Sequence, residues 1–322
     1  MFWLHIIHYA GFLFAQTTNS ILIYLILTKA DKLFGSYRIL MFTFALYSLI
    51  YAWIEVATQP IFHIKGPVIM AAVDSPLKDE TWLVKDLPSL YAGSFALCVS
   101  ILAAQFVYRY VVLYRPRTLS TIEKYKLLPL FIPCILCFIV YFLSVYLGMA
   151  KTIETQEYLR EEILNCYGED TRDLSFIAMM YWTIGENGEK LWRMSAFIAA
   201  AGCCSVITVC SSTIAYCAYN IYQSMKTIQS FMSSKSLELN KQLFITLTFQ
   251  TLLPFSMMYI PVGLTIVLPL LEVHAGKLTN IVGASLAIYP ALEPIVAMFC
   301  IREFRRTLLC NNTKMAQAVS VP

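Results

Sequence analysis

Seven long apolar blocks constrain this chain more than any other feature of it. They run from His5 to Leu27, Arg38 to Ile61, Pro88 to Tyr114, Leu127 to Met149, Leu191 to Asn220, Leu243 to Leu270 and Leu278 to Ile301. A bilayer core takes roughly 20 consecutive, mostly apolar residues to cross as a helix, and every block is long enough. Of the 322 residues, 58% are hydrophobic and 14% charged, against roughly 45–50% and 25% in ordinary soluble domains. The apolar residues are gathered into blocks rather than spread along half-buried elements, so two soluble domains are a poor account of this length. The expected fold is an all-α integral membrane protein: a bundle of seven transmembrane helices over residues 1–301, then a tail over residues 302–322. The first block lacks a basic leader and a small-residue cleavage site and carries Gln16 and Asn19, so it reads as a retained helix rather than a signal peptide.

Charge orients the bundle. The segments on the tail side hold 15 of the 24 Lys and Arg but only Asp31, Glu123, Glu238 and Glu303, a balance of +11. The opposite loops hold nine bases against 14 acids. Basic residues stay cytoplasmic during insertion, which predicts an amino terminus outside and a carboxyl terminus inside. The net charge of +4 follows from this asymmetry and gives no reason to expect a nucleic-acid partner. Nine of the ten cysteines fall in or at the ends of helices and only Cys166 lies in an outer loop, so no disulfide framework is expected.

Two outer loops are long, Phe62 to Leu87 and Ala150 to Lys190. The second carries nine acids, among them Glu154, Glu157, Glu161 and Glu162, at a spacing compatible with an exposed helical turn or two. Such a run reads as a solvated lid or as a cation-binding surface. Pro254, Pro261 and Pro269 fall in the sixth block, Pro290 and Pro294 in the seventh, and each should kink or unwind its helix.

Polar residues inside the blocks are the candidates for function. Asn19 and Glu293 each lie eight residues from the inner end of their helix, and Tyr47 and Ser48 reach nearly the same depth on the second. Unpartnered polar groups in hydrocarbon cost several kcal/mol, so these four are expected to share a layer, as a network that rearranges or as a static clamp. Arg109, about one turn above the inner end of the third helix, is either a latch at an inner docking cavity or a side chain snorkelling to the interface. Arg115 and Arg117 beyond it would supply docking charge or bind anionic lipid heads. Catalytic and nucleotide-binding signatures are missing, so no enzyme and no cofactor is expected. His5 and His8 share a helical face but lack further ligands for a metal site. The seventh helix has no internal Lys for a retinal Schiff base.

Four segments together resemble one family, the nematode serpentine chemoreceptors of the Str class, which are seven-helix G-protein-coupled receptors. They are YRILMFTFALYSLIYAWIEVATQPIFH at the second helix, FVYRY at the third, LTFQTLLPFSMMYIP at the sixth and AIYPALEPIVAMFCIREFRRTLL at the seventh. The resemblance implies an olfactory-type receptor in the ciliary plasma membrane of sensory neurons, binding a small molecule outside and activating a heterotrimeric G protein inside. It implies coupling roles for Arg109 and Tyr110 in FVYRY, and for Glu293 between Pro290 and Pro294. Tyr108 stands where better-known receptor families place an acid, and Val84 where they place a disulfide cysteine. Two other readings stay open, a seven-span odorant-gated channel subunit, whose amino terminus would be inside, and a small transporter.

A pocket in the outer half of the bundle would be lined by Tyr91, Phe95, Cys98, Tyr259 and Ser285. Glu55 nearby is either a ligand contact or a hydrogen-bonded structural acid. Residues Arg302 to Cys310 read as a short amphipathic helix in the inner interface, with Cys310 either palmitoylated or a free thiol. The sole N-x-Ser/Thr sequon, Asn311 to Thr313, would then be cytoplasmic and unglycosylated.

Overall fold

A computed structural model of the chain describes residues 2–29, 35–78, 84–228 and 234–309. In chain order its elements are α1 (Phe2–Lys29), α2 (Tyr37–Thr58), β1 (Pro60–Lys65), β2 (Val68–Val73), α3 (Leu87–Tyr114), α4 (Pro116–Lys124), α5 (Leu128–Gly148) and α6 (Ile153–Tyr167). There follow β3 (Phe176–Met180), β4 (Trp182–Ile184), β5 (Lys190–Trp192), α7 (Met194–Ile228), α8 (Ser234–Pro254), α9 (Ile260–Val267), α10 (Asn280–Cys300) and α11 (Arg302–Leu308). Seven helical segments are long and apolar enough to cross a membrane: α1, α2, α3, α5, α7, α8 with α9, and α10. The seven-helix bundle read from the sequence is therefore the fold. The second block ends earlier than expected, at Thr58, because Gln59 turns left-handed (φ 41°) and Pro60 cannot continue a helix.

The third span, α3, forms the axis of the bundle. Its most apolar window is 78% buried, against 22% for α5, which faces outward. Small residues on α3, Gly93, Ser94, Ala96, Ser100, Ala103 and Ala104, let neighbouring backbones approach. The closest approach of this kind lies elsewhere, where α1 crosses α10: a Cβ on Gly11 would sit 2.5 Å from the carbonyl oxygen of Ala287.

Proline unwinds the sixth span as expected, while the seventh continues as one α-helix through Pro290 and Pro294. After Pro254 the sixth span passes through one π turn, Phe255–Tyr259, before resuming as α9. A proline removes the donor for the carbonyl four residues earlier. For Pro261 that is the carbonyl of Met257, and Ser285 Oγ on α10 donates to it at 2.7 Å. For Pro294 it is the carbonyl of Pro290, and Asn19 Nδ2 on α1 donates to it at 2.9 Å. The two proline-bearing spans are thus tied to their neighbours through the groups the prolines leave free.

The long loops hold a structure the sequence reading did not contain. Strands β1, β2 and β3 pair in that order as an antiparallel sheet, with Pro60 opposite Val73 and Val68 opposite Met180. A tight turn at Gly66 (φ 51°) and Pro67 joins the first two. Alternation then sorts the side chains: Ile69, Ala71, Ile177 and Met179 join the bundle core, while Val68, Met70, Ala72, Phe176, Ala178 and Met180 face the other way. Those second-face residues are covered by α6, whose buried Thr155, Leu159 and Ile163 recur at every fourth position. Each of Leu159 and Ile163 contributes about 1.5–3 kcal/mol by its burial. The acidic run is therefore one helix, started by the Thr152–Thr155 capping box and stopped at Gly168 (φ 75°), with Glu154, Glu157 and Glu161 exposed and Glu162 turned toward β1. It is a lid with an apolar underside, and Arg160–Asp170 and Arg193–Glu154 ion pairs pin its position.

We call this the sheet end of the bundle and the opposite one the tail end. There α11 follows α10 with Phe304 fully buried and Leu308, expected on the same face, exposed. Cys310 and the sequon at Asn311 lie outside the described residues.

Candidate functional site

Beneath the sheet lies a cavity of about 780 Å3 of atom-free space, counting its open mouth. Spans three to seven supply its floor and walls, among them Tyr91, Phe95, Tyr141, Val145, Cys203, Val262, Ile266 and Leu286. The roof is Phe62, Ile69, Ala71, Ile177 and Met179, the bundle-facing residues of the sheet. The lining is almost wholly apolar, as the walls of small-molecule sites are. Polar groups enter at Thr58, Thr265 and the two tyrosines.

Of the six residues expected to line a pocket, the cavity takes Tyr91 and Phe95. Cys98, Tyr259, Ser285 and Glu55 lie outside its lining, for specific reasons. The ring of Tyr259 packs edge-on against Phe95, 6.3 Å between centroids. Cys98, buried one turn deeper on α3, sits below that layer. Ser285 is engaged with the Met257 carbonyl. Glu55 is turned toward α1, where His8 Nδ1 lies 2.5 Å from its carboxylate, both side chains being fully enclosed. Glu55 is thus held as a structural acid by a histidine that the sequence reading weighed only as a metal ligand. Among the described residues no group of three His, Cys, Asp or Glu is placed to hold a metal ion.

Toward the tail end, the four residues expected to share a polar layer are brought to the bundle interior but not to one hydrogen-bonded network. Asn19 bonds the carbonyls of Ala15 and Pro290. Tyr47 donates to the Ser94 carbonyl at 2.7 Å, and Ser48 is buried without a hydrogen-bond partner among the described residues. Glu293, fully buried, accepts from the side-chain amide of Gln250 on α8. Gln250 was missed, although depth counting could have found it: it lies seven residues from the inner end of its block, level with Glu293.

Arg109 does not snorkel outward. Its guanidinium lies over the ring of Tyr37, 4.1 Å from the centroid, and its Nε and Nη2 have no acceptor among the described residues. Tyr37, also missed, is fixed in turn by donating to Gln105 at 3.0 Å and by stacking on Tyr108. Tyr108, the residue in place of an acid, donates to Glu123 of α4 at 3.3 Å, tying the loop after α3 to the span. Tyr110 stacks on Tyr114 and meets Tyr216 of α7. Arg115 and Arg117 are exposed beyond it. Pro290 and Pro294 are buried in α10. The arrangement leaves a half-buried cation at the tail end, stacked on Tyr37 with two enclosed nitrogens that lack an acceptor among the described residues, on the same central helix that floors the cavity at the sheet end.

Known proteins can now be set beside this geometry. The family model described as serpentine type 7TM GPCR chemoreceptor Str matches residues 4–309. Serpentine receptor class r-10 of Caenorhabditis briggsae is 27% identical over 95% of this chain and 90% of its own length. The protein of the same name from Caenorhabditis elegans is 28% identical over 91% of this chain and 87% of its own. G-protein coupled receptor str-33 of Caenorhabditis elegans is 26% identical over 92% and 87%. With the family match spanning nearly the whole of a seven-helix chain, this protein belongs to the Str family of serpentine seven-transmembrane chemoreceptors, a receptor family rather than an enzyme family.

Proposed function

We propose that this chain takes a small, mostly apolar molecule into the cavity beneath the sheet and activates a heterotrimeric G protein at the tail end. The observation that carries the reading is the roofed apolar cavity standing on the same span, α3, as Arg109, two of whose enclosed nitrogens lack an acceptor among the described residues. The charge balance supports an orientation with the sheet end outside and the tail end in the cytoplasm. The printed name of the str-33 relative, a G-protein coupled receptor, supports the coupling partner. Membership of the family supports an olfactory-type role in the ciliary plasma membrane of sensory neurons. On this reading Tyr91 and Phe95 contact the ligand, and Arg109, with Tyr110, Arg115 and Arg117 around it, meets the G protein. Glu293, Asn19, Tyr47 and Ser48, together with Pro290 and Pro294, carry the change between the two ends. The test is a ligand screen in cells expressing the chain, read by calcium or cAMP, with an epitope tag at each terminus detected before and after permeabilisation. An amino-terminal tag visible only after permeabilisation would favour the odorant-gated channel.

A further inference from the structure

Outside the membrane-spanning segments, one group of side chains joins three parts of the sheet end. Glu162 and Tyr167 come from α6, His63 and Lys65 from β1, His274 from the loop before α10, and Asn280 from the start of α10 itself. Their hydrogen bonds run in one direction, and the order fixes where each proton sits. The backbone N–H of Phe62, a roof residue of the cavity, donates to Asn280 Oδ1 at 3.0 Å. The Asn280 amide must then present its Nδ2 to the Tyr167 hydroxyl, at 3.1 Å. Burial pushes the Tyr167 phenol up to about 12, so it keeps its proton and gives the hydrogen bond to His63 Nδ1 at 3.1 Å. His63 is left as the neutral tautomer with its proton on Nε2, donating to Glu162 Oε1 at 2.9 Å. Glu162 also receives His274 Nε2 at 3.0 Å and Lys65 Nζ at 3.5 Å.

We propose that His63 is a proton-binding site through which acidity at the sheet end loosens the roof of the cavity. The His63 side chain is fully enclosed. A second proton, on Nδ1, makes it a donor where it must now accept. Tyr167 would then be approached by two donors, Asn280 and His63, and its own hydrogen would lose its acceptor. The relay from Glu162 to the Phe62 backbone cannot keep its direction, and it ties strand β1 both to the lid helix and to the seventh span. Every charged group around His63 bears on the balance. Desolvation holds its pKa below the ordinary 6.5, Glu162 opposes, and His274 and Lys65 act with the burial. Asp74 and Cys166 lie on the Tyr167 side, and Lys277 lies 5.7 Å over the Tyr167 ring. A histidine with a depressed folded-state pKa stabilises the closed arrangement fully above its unfolded value. That contribution declines as the pH falls through about 6.5.

The proposal rests on the reading that the sheet end faces the exterior, but its test needs neither ligand nor G protein. The full-length receptor, purified into lipid nanodiscs, is followed by amide hydrogen exchange at pH 7.5 and 5.5, with rates corrected for intrinsic pH dependence. Residues 60–73 and 153–167 are expected to exchange faster at the lower pH, by up to about ten-fold for linkage to one proton. His63→Gln, which is neutral at both pH values, should remove the difference. Glu162→Gln keeps an acceptor but lacks the charge that favours His63 protonation in the closed arrangement, so the response should still begin near pH 6.5 but grow larger than in the wild type when followed down to pH 4.5. Equal protection of these segments at the two pH values in the wild-type receptor would overturn the proposal, as would a pH response that survives His63→Gln. Where His63→Gln does not fold, a response in Glu162→Gln no larger than the wild type's down to pH 4.5 overturns it. A receptor that opens in acid yet gives no G-protein response to any molecule in the ligand screen would leave this site standing and count against the proposed function.

Discussion

The side-chain amide of Asn19 donates a 2.9 Å hydrogen bond to the carbonyl of Pro290, the group that Pro294 deprives of its helical donor. The seventh span is therefore tied to the first at the carbonyl its proline leaves free. Asn19→Ala should leave that carbonyl unsatisfied and cost about 1–2 kcal/mol of stability. Pro294→Ala returns an N–H to the same carbonyl. A double-mutant cycle read by thermal unfolding in detergent should then show that Asn19→Ala costs less in the Pro294→Ala background, and strict additivity would break the link.

A second tie joins the sixth and seventh spans, where Gln250 donates to the buried carboxylate of Glu293. If this tie restrains the two helices, both Glu293→Gln and Gln250→Ala should raise basal signalling in a cAMP or calcium assay, with surface expression retained. Unchanged basal and ligand-driven signalling in both variants would reduce the pair to a static clamp.

Gly11 offers a packing test that involves no signalling. A methyl there would lie 2.5 Å from the Ala287 carbonyl oxygen, and both partners are helix backbone that cannot swing aside. Gly11→Ala should force α1 from α10 and destabilise the receptor by about 1–3 kcal/mol, seen as a lower melting temperature and reduced surface delivery. Gly263, whose added Cβ would meet nothing within 4 Å, is the control.

Topology is tested at the carboxyl terminus. Asn311 opens the sole sequon, and on the proposed orientation it never enters the secretory lumen. Glycosidase treatment should leave the gel mobility of the full-length receptor unchanged. A shift that disappears in Asn311→Gln would put the tail outside and remove the G-protein reading.

What the sequence disclosed and what it withheld follow from one physical difference. The spans were legible because hydrocarbon imposes a single requirement, an apolar run of fixed length, and the unwinding of the sixth span was legible because the missing N–H is local. Depth counting placed Asn19 and Glu293 correctly along their helices, but depth does not give rotation about the helix axis. Glu293 therefore met Gln250, and Tyr47 met the Ser94 carbonyl, rather than one another. The sheet was hidden for another reason. PIFHIK and VIMAAV are buried on both faces, by the bundle and by α6, so they lack the alternation that marks a half-exposed strand. The Gly66–Pro67 turn between them was the available signal. With the sheet unseen, the pocket was drawn too deep, which is why Cys98 and Tyr259 were named and Ile69 and Met179 were not.

Arg109 carries the coupling end of the proposal. Stacked on Tyr37 with two enclosed nitrogens lacking acceptors, it is available to an incoming carbonyl or carboxylate. Arg109→Ala should abolish G-protein signalling while leaving surface delivery and ligand binding largely intact. Arg109→Lys, which keeps the charge but loses the planar fork, should recover only part of it.

The most direct measurement takes an activating molecule from the ligand screen and compares G-protein activation by the wild-type receptor with that by Ala92→Phe, which fills the cavity from the α3 wall. Ala92→Phe should reach the surface, lose the response to that molecule by at least about ten-fold in potency, as a lost contact worth about 1.4 kcal/mol would give, and keep its basal signalling. An undiminished response in Ala92→Phe, or a ligand-evoked current that persists in cells without G proteins, would contradict the coupling of the roofed cavity to a G protein.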